Sequence, residues 1–147
     1  LGYSSLTVDS KVVTNSSKYY CVMLSAFSSQ ADGYQADAFY TIEKSTGKLL
    51  ELSNLFPENA DYVDVLTAQI KKQMRQNMKK DENNVYFLDT DTPVALFDKI
   101  DENQQFYING KDEIVICFAE GDAAPASMGT LHYDIPQKVV KELQKNE

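Results

Sequence analysis

One histidine, His132, and two cysteines, Cys21 and Cys117, are where nucleophilic chemistry would be sought first in this chain of 147 residues. Cys117 lies in the apolar run 113–119 and His132 in the run 129–135. If both runs are strands, they are neighbours in sequence and could pair, setting a thiol beside an imidazole. A working dyad also needs a third group to orient the base, and none stands at a recognisable spacing. The plainer reading makes His132 a solvent-facing strand residue, sharing its side with Thr130 and Asp134. It makes the cysteines two buried thiols acting as small hydrophobes, with a disulfide as the other reading. Neither belongs to a CxxC pair or a metal-spaced cluster. Asp89 and Asp91 offer hard oxygens, but a calcium loop needs more ligands and a glycine within about twelve residues. Carboxylate pairs suited to glycoside hydrolysis are too common in an acidic chain to be specific. No phosphate-binding glycine loop and no GxSxG elbow occurs. The expectation is no enzyme, no metal and no cofactor.

Charge is more informative. The formal net charge is −8 and the pI about 4.6. Residues 81–134 hold twelve acidic groups against Lys99 and Lys111, so this segment alone carries −10. Such a run is either a solvated face or a field that steers a cationic protein. It argues against nucleic acid, which needs a basic stripe. With 43% apolar residues the chain is too hydrophobic to be disordered. Its length suits one domain able to bury a core without disulfide or metal. No apolar run is long enough to span a membrane. The chain starts at Leu1, not Met, so 1–147 is expected to be one domain excised from a longer protein, with any targeting segment outside it.

Strand-like runs occupy 5–14 and 18–27, joined by a turn at Asn15-Ser16-Ser17. The second carries apolar groups on both faces and reads as a central strand. The polar stretch 28–37 reads as a loop. Residues 38–43 and 48–52 flank Lys44-Ser45-Thr46-Gly47, where Gly47 suits a left-handed turn position. Asn59 is placed to cap a helix over about 60–80, with Val63, Leu66, Ile70, Met74 and Met78 as its apolar stripe. The methionines fit core packing better than a partner groove. One or two helical turns are expected over 94–100. A second hairpin, 105–109 and 113–119, turns at Gly110-Lys111-Asp112. A loop over 120–128 leads to a strand at 129–135, and Pro136 opens a terminal helix at its first position. The expected class is α+β: an antiparallel sheet of hairpins packed with one long helix and a C-terminal helix.

Four stretches in order then become recognisable. The run 39–56, FYTIEKSTGKLLELSNLF, resembles the strand, K-x-T-G-K turn, strand and D/N-L-F signature of a bacterial extracytoplasmic family of formerly unknown function. Ile70-Lys71-Lys72-Gln73-Met74, Gln105-Phe106-Tyr107-Ile108-Asn109, and Val115-Ile116-Cys117-Phe118 followed by Ala123-Ala124-Pro125-Ala126-Ser127-Met128-Gly129 and Tyr133-Asp134-Ile135-Pro136 fit the same pattern. The chain is similar over about 5–145 to the extracellular domain of the lysozyme-sensing anti-sigma-V factor family, whose domain also occurs beside polysaccharide deacetylases.

That resemblance implies a receptor on the outer face of the membrane in Gram-positive bacteria. Lysozyme would be its partner. Binding would permit regulated proteolysis that releases a sigma factor and switches on lysozyme resistance. The sigma factor would be held by a cytoplasmic segment, and the membrane by a transmembrane helix, both outside this piece. The resemblance also implies that loops at one end of the sheet, 28–35 and 123–128, enter the substrate cleft of lysozyme. The contact residues implied are Ser29, Ala31, Tyr34, Pro125 and Ser127. Pro125 would stiffen its loop and lower the ordering cost of insertion. The chain departs from the family at Glu120-Gly121-Asp122, Ala126 and Ser127, all in or near that loop. The piece is expected to leave a sheet edge open. The alternative is a cell-envelope accessory domain that binds peptidoglycan or positions a neighbouring deacetylase.

Overall fold

The computed structural model describes residues 5–29, 33–88 and 96–145, together with the backbone but not the side chain of Tyr34. Two antiparallel sheets and two helices make an α+β fold. The first sheet runs β1 (Leu6–Asn15), β2 (Tyr19–Ser28), β3 (Tyr34–Glu43) and β4 (Lys48–Leu50), in that spatial order. After helix α1 (Tyr62–Lys80) comes the second sheet: β5 (Phe106–Ile108), β6 (Ile114–Phe118) and β7 (Leu131–Asp134). Helix α2 (Gln137–Gln144) closes the chain.

The second sheet is the buried layer. Alternation sends Val115 and Cys117 to one side, where they pack with Met23, Phe39 and Tyr107 of the neighbouring strands. Ile114, Ile116 and Phe118 join the opposite core with Leu66, Ile70 and Met74 of α1 and Leu143 of α2. All five residues of β6 are buried. Polar contacts pin the layers. The Phe39 amide donates to Gln105 Oε1 at 2.7 Å, and the Ile100 amide to Thr67 Oγ1 at 3.1 Å. Gln73 Nε2 donates to the Asp134 carbonyl at 2.9 Å.

Several expectations need correcting. β2 is central by hydrogen bonding, but only Cys21 among its residues is buried, and Leu24 and Phe27 are exposed. Its apolar faces do not mean two covers. β3 begins at Tyr34, inside the expected loop. Its polar side chains are held on the sheet: Ser25 Oγ donates to Asp37 Oδ1 at 2.6 Å, and Gln35 Nε2 to Ser25 Oγ at 3.2 Å. β4 stops at Leu50, and a 3-10 turn covers Leu52–Leu55. Asn59 does not cap α1. The Ala60 amide bonds the Pro57 carbonyl in a separate turn, and Asp61 takes the N-cap position without a side-chain bond. Leu66, Ile70 and Met74 of the expected stripe are fully buried, whereas Met78 is exposed.

Residues 96–100 are not helical. They form an irregular strap in which the Phe97 amide bonds the Phe87 carbonyl at 2.7 Å, while the Phe97 and Ile100 side chains enter the core. Positions 94 and 95, with Asp89 and Asp91, lie outside the described residues. In the second hairpin Asp112, not Gly110, takes the left-handed conformation, at φ 59°. Asn109 Oδ1 stabilises the turn by accepting from the Lys111 and Glu113 amides. Pro136 stands at the N-cap of α2, one position before the first helical residue. Gly47, at φ 70°, occupies its left-handed turn position as expected.

Candidate partner-binding surface

The two loops singled out from the sequence differ in build. The β2–β3 connection is a hairpin tip. Ser29 is exposed, but its hydroxyl is engaged: Ser29 Oγ lies 2.7 Å from Ser5 Oγ and accepts from the Ser5 amide at 3.0 Å. It ties the start of β1 to the end of β2. Gly33 turns the chain at φ 65°. The Tyr34 backbone pairs with Ser28 as the first rung of β3. Ala31 lies outside the described residues.

The second loop is anchored from below. Ala123 and Ala124 are buried in the core, and the Ala123 carbonyl accepts from the Phe87 amide at 2.9 Å. Half-buried Pro125, at φ −54°, leads into the 3-10 turn Ala126–Met128, closed by the Met128 amide on the Pro125 carbonyl at 2.9 Å. Ala126 and Ser127 stand exposed at the top, and Gly129 reverses the chain at φ 72°. Gln35, beside the first tip, and Thr130, beside the second loop, line one small cleft of about 70 Å³ with Asp37, Gln104 and Asp122.

That cleft adjoins a larger one. Gln104, Phe118 and Asp122 also line a groove of about 600 Å³ between the first turns of α1 and the strap 97–104. Its floor holds Val63, Phe97 and Ile100, and its walls carry Asp61, Asp64, Asp101, Glu102 and Asp122 against Lys99. Sequence reasoning found the acidic run 81–134 but missed this groove. Asp61 and Asp64 come from the N-cap and first turn of α1, some forty positions before Asp101, and only the fold brings them together.

Cys117 and His132 are directly opposed across β6 and β7. They are not poised as a nucleophile and base. Burial, with the Asp37 and Asp134 charges adding, pushes the Cys117 thiol far above the usual range, whereas a nucleophilic cysteine needs its thiolate favoured. Cys117 Sγ contacts the Val115 carbonyl at 3.7 Å. The His132 ring is open on one side and desolvated on the other, edge-on to Phe39 at 5.6 Å and Tyr107 at 5.9 Å. That desolvation lowers its pKa below 6.5, against the opposing pull of Asp37 and Asp134. Both cysteines are free and buried. Cys21 Sγ sits 3.3 Å from Thr41 Oγ1 and accepts from the Ile108 amide at 3.5 Å. Among the described residues, no group of three or more His, Cys, Asp or Glu side chains is placed to hold a metal, and no helix is long and apolar enough to cross a membrane.

Fold and surface together define a two-sheet α+β domain with a loop-tipped, acid-walled end. The profile of a protein family of unknown function, DUF3298, matches residues 53–138, and the chain belongs to that family. It is 34% identical over 146 residues to the anti-sigma-V factor RsiV of Bacillus subtilis (strain 168), covering 99% of this chain and 50% of that protein. The chain thus spans half the length of that relative. Two crystal structures share the fold. A DUF3298-family protein from Bacteroides fragilis superposes with a TM-score of 0.73 at 20% identity, over 95% of this chain and 54% of that one. Another from Pseudomonas aeruginosa PAO1 gives 0.68 at 15% identity, over 97% and 62%.

Proposed function

We propose that this domain is the extracytoplasmic ligand-binding part of a membrane-anchored anti-sigma factor. Its ligand is lysozyme, and binding permits the proteolysis that frees the sigma factor. The observation that carries this reading is the 34% identity to the anti-sigma-V factor over 146 residues, nearly the whole chain.

The surface supports it in two ways. The second loop rests on a buried Ala123-Ala124 base and is stiffened by Pro125, so inserting its tip into a cleft costs little ordering entropy. The acid-walled groove continues from the loops and gives a cationic muramidase an attractive approach. In this reading Ser29, Ala31, Tyr34, Pro125 and Ser127 make the contact, while the groove carboxylates act mainly on the rate of encounter.

Calorimetric titration against lysozyme tests the proposal. The expected result is one-to-one binding that weakens as salt is added. Absence of binding at low ionic strength contradicts it. Retention on purified cell wall without any lysozyme signal would favour the accessory-domain reading instead.

A further inference from the structure

Among the described residues β1 is the outer strand of the first sheet, and every residue from Leu6 to Val12 is exposed. Such an edge offers a row of unpaired backbone groups. Its two faces differ sharply. The β1–β2–β3 register sets Val8 beside Ala26 and Ala36, Ser10 beside Leu24 and Ala38, and Val12 beside Val22 and Tyr40. That face carries no charge in any of these rows, and Val8 and Val12 are 59% and 48% exposed. On the other face β1 presents Asp9 and Lys11, two positions apart, with Ser10 between them.

We propose that β1 pairs antiparallel with β1 of a second copy of this chain, about a two-fold axis through Ser10, to give a continuous eight-stranded sheet. The charges choose this partner and this register. With Ser10 opposite Ser10, Asp9 of each copy faces Lys11 of the other, and Val8 of each faces Val12 of the other. Opposite charges and apolar pairs therefore both match across the strands. A slip of two residues sets Asp9 against Asp9, or Lys11 against Lys11, and repels. A slip of one residue flips every side chain and sets charge against the apolar face. Lysine on an edge strand normally blocks pairing. Asp9 turns that block into a selector for one self-complementary, isologous contact. The bulge between Val12 and Thr14 ends the pairing window, since Val13 there turns into the core.

Sedimentation equilibrium of the 147-residue chain, from micromolar to millimolar concentration, tests the contact. The expected result is a reversible monomer–dimer equilibrium. Asp9→Lys and Lys11→Asp each place like charges opposite one another twice per dimer and should weaken it about tenfold. The double exchange Asp9→Lys/Lys11→Asp restores the opposition and should return the dimer to within about twofold of the original. Both sites are exposed, so circular dichroism should be unchanged in all three variants. A chain that stays monomeric throughout overturns the proposal. So does a dimer indifferent to both single reversals but broken by Leu24→Lys, which would mark packing through the sheet face.

Discussion

β6 and β1 are the two extremes of this molecule. All five residues of β6 are buried, with cores on both faces, whereas seven consecutive residues of β1 are exposed. The difference separates two jobs. The second sheet and α1 hold the fold together through Ile116, Leu66, Ile70 and Met74, none of which is exposed. The first sheet spends little of its surface on that core. Substitutions in the two regions should therefore separate in kind.

The largest effect is expected in the buried layer. Ile116→Ala should cost about 2–5 kcal/mol, because the cavity it leaves lies between packed elements. Val8→Ala, on the open face, should change stability by no more than about 0.5 kcal/mol. Urea denaturation of both variants checks the contrast, and equal losses would break it. Next in size is the loop tip. Ser127→Arg should weaken lysozyme binding about tenfold or more, by setting a bulky side chain on a stiff tip that must fit a cleft, with the urea midpoint unchanged.

How much of this was legible in the sequence depends on the region. β1, β2, both hairpins and the α1 stripe follow from β-branched runs, turn residues and helical spacing, so the α+β class was readable. Polarity misled at the start of β3, because Gln35 and Asp37 satisfy one another through Ser25 instead of solvating a loop. Spacing misled at 97–100. Phe97 and Ile100 sit three apart, as on a helix, but both are drawn into the core by a strap bonded to Phe87 and Thr67. The loop residues Ser29 and Pro125 were reached only through family resemblance. The groove was unreadable because Asp61 and Asp101 are distant in sequence and joined only by packing.

A smaller effect belongs to that groove. Replacing Asp61, Asp101 and Asp122 together by Asn should slow association with lysozyme several-fold and flatten its salt dependence, leaving dissociation nearly unchanged. Stopped-flow kinetics across ionic strength would read it, and a change confined to dissociation would assign these carboxylates to direct contact. The smallest effect should be the pH dependence of stability. His132 is held with its pKa below 6.5, so the unfolded chain binds the proton more readily. The contribution of His132 is fully present above pH 6.5 and is lost as pH falls through the lowered folded-state pKa. His132→Gln should flatten the thermal midpoint over that window relative to the parent chain, and an unaltered profile would place the dependence elsewhere.

The most direct test of the central claim is the muramidase activity of lysozyme titrated with this domain at low ionic strength. Insertion of the loop tips into the substrate cleft predicts stoichiometric loss of activity with the parent domain and markedly weaker loss with Ser127→Arg. Full activity in the presence of excess folded domain would contradict it.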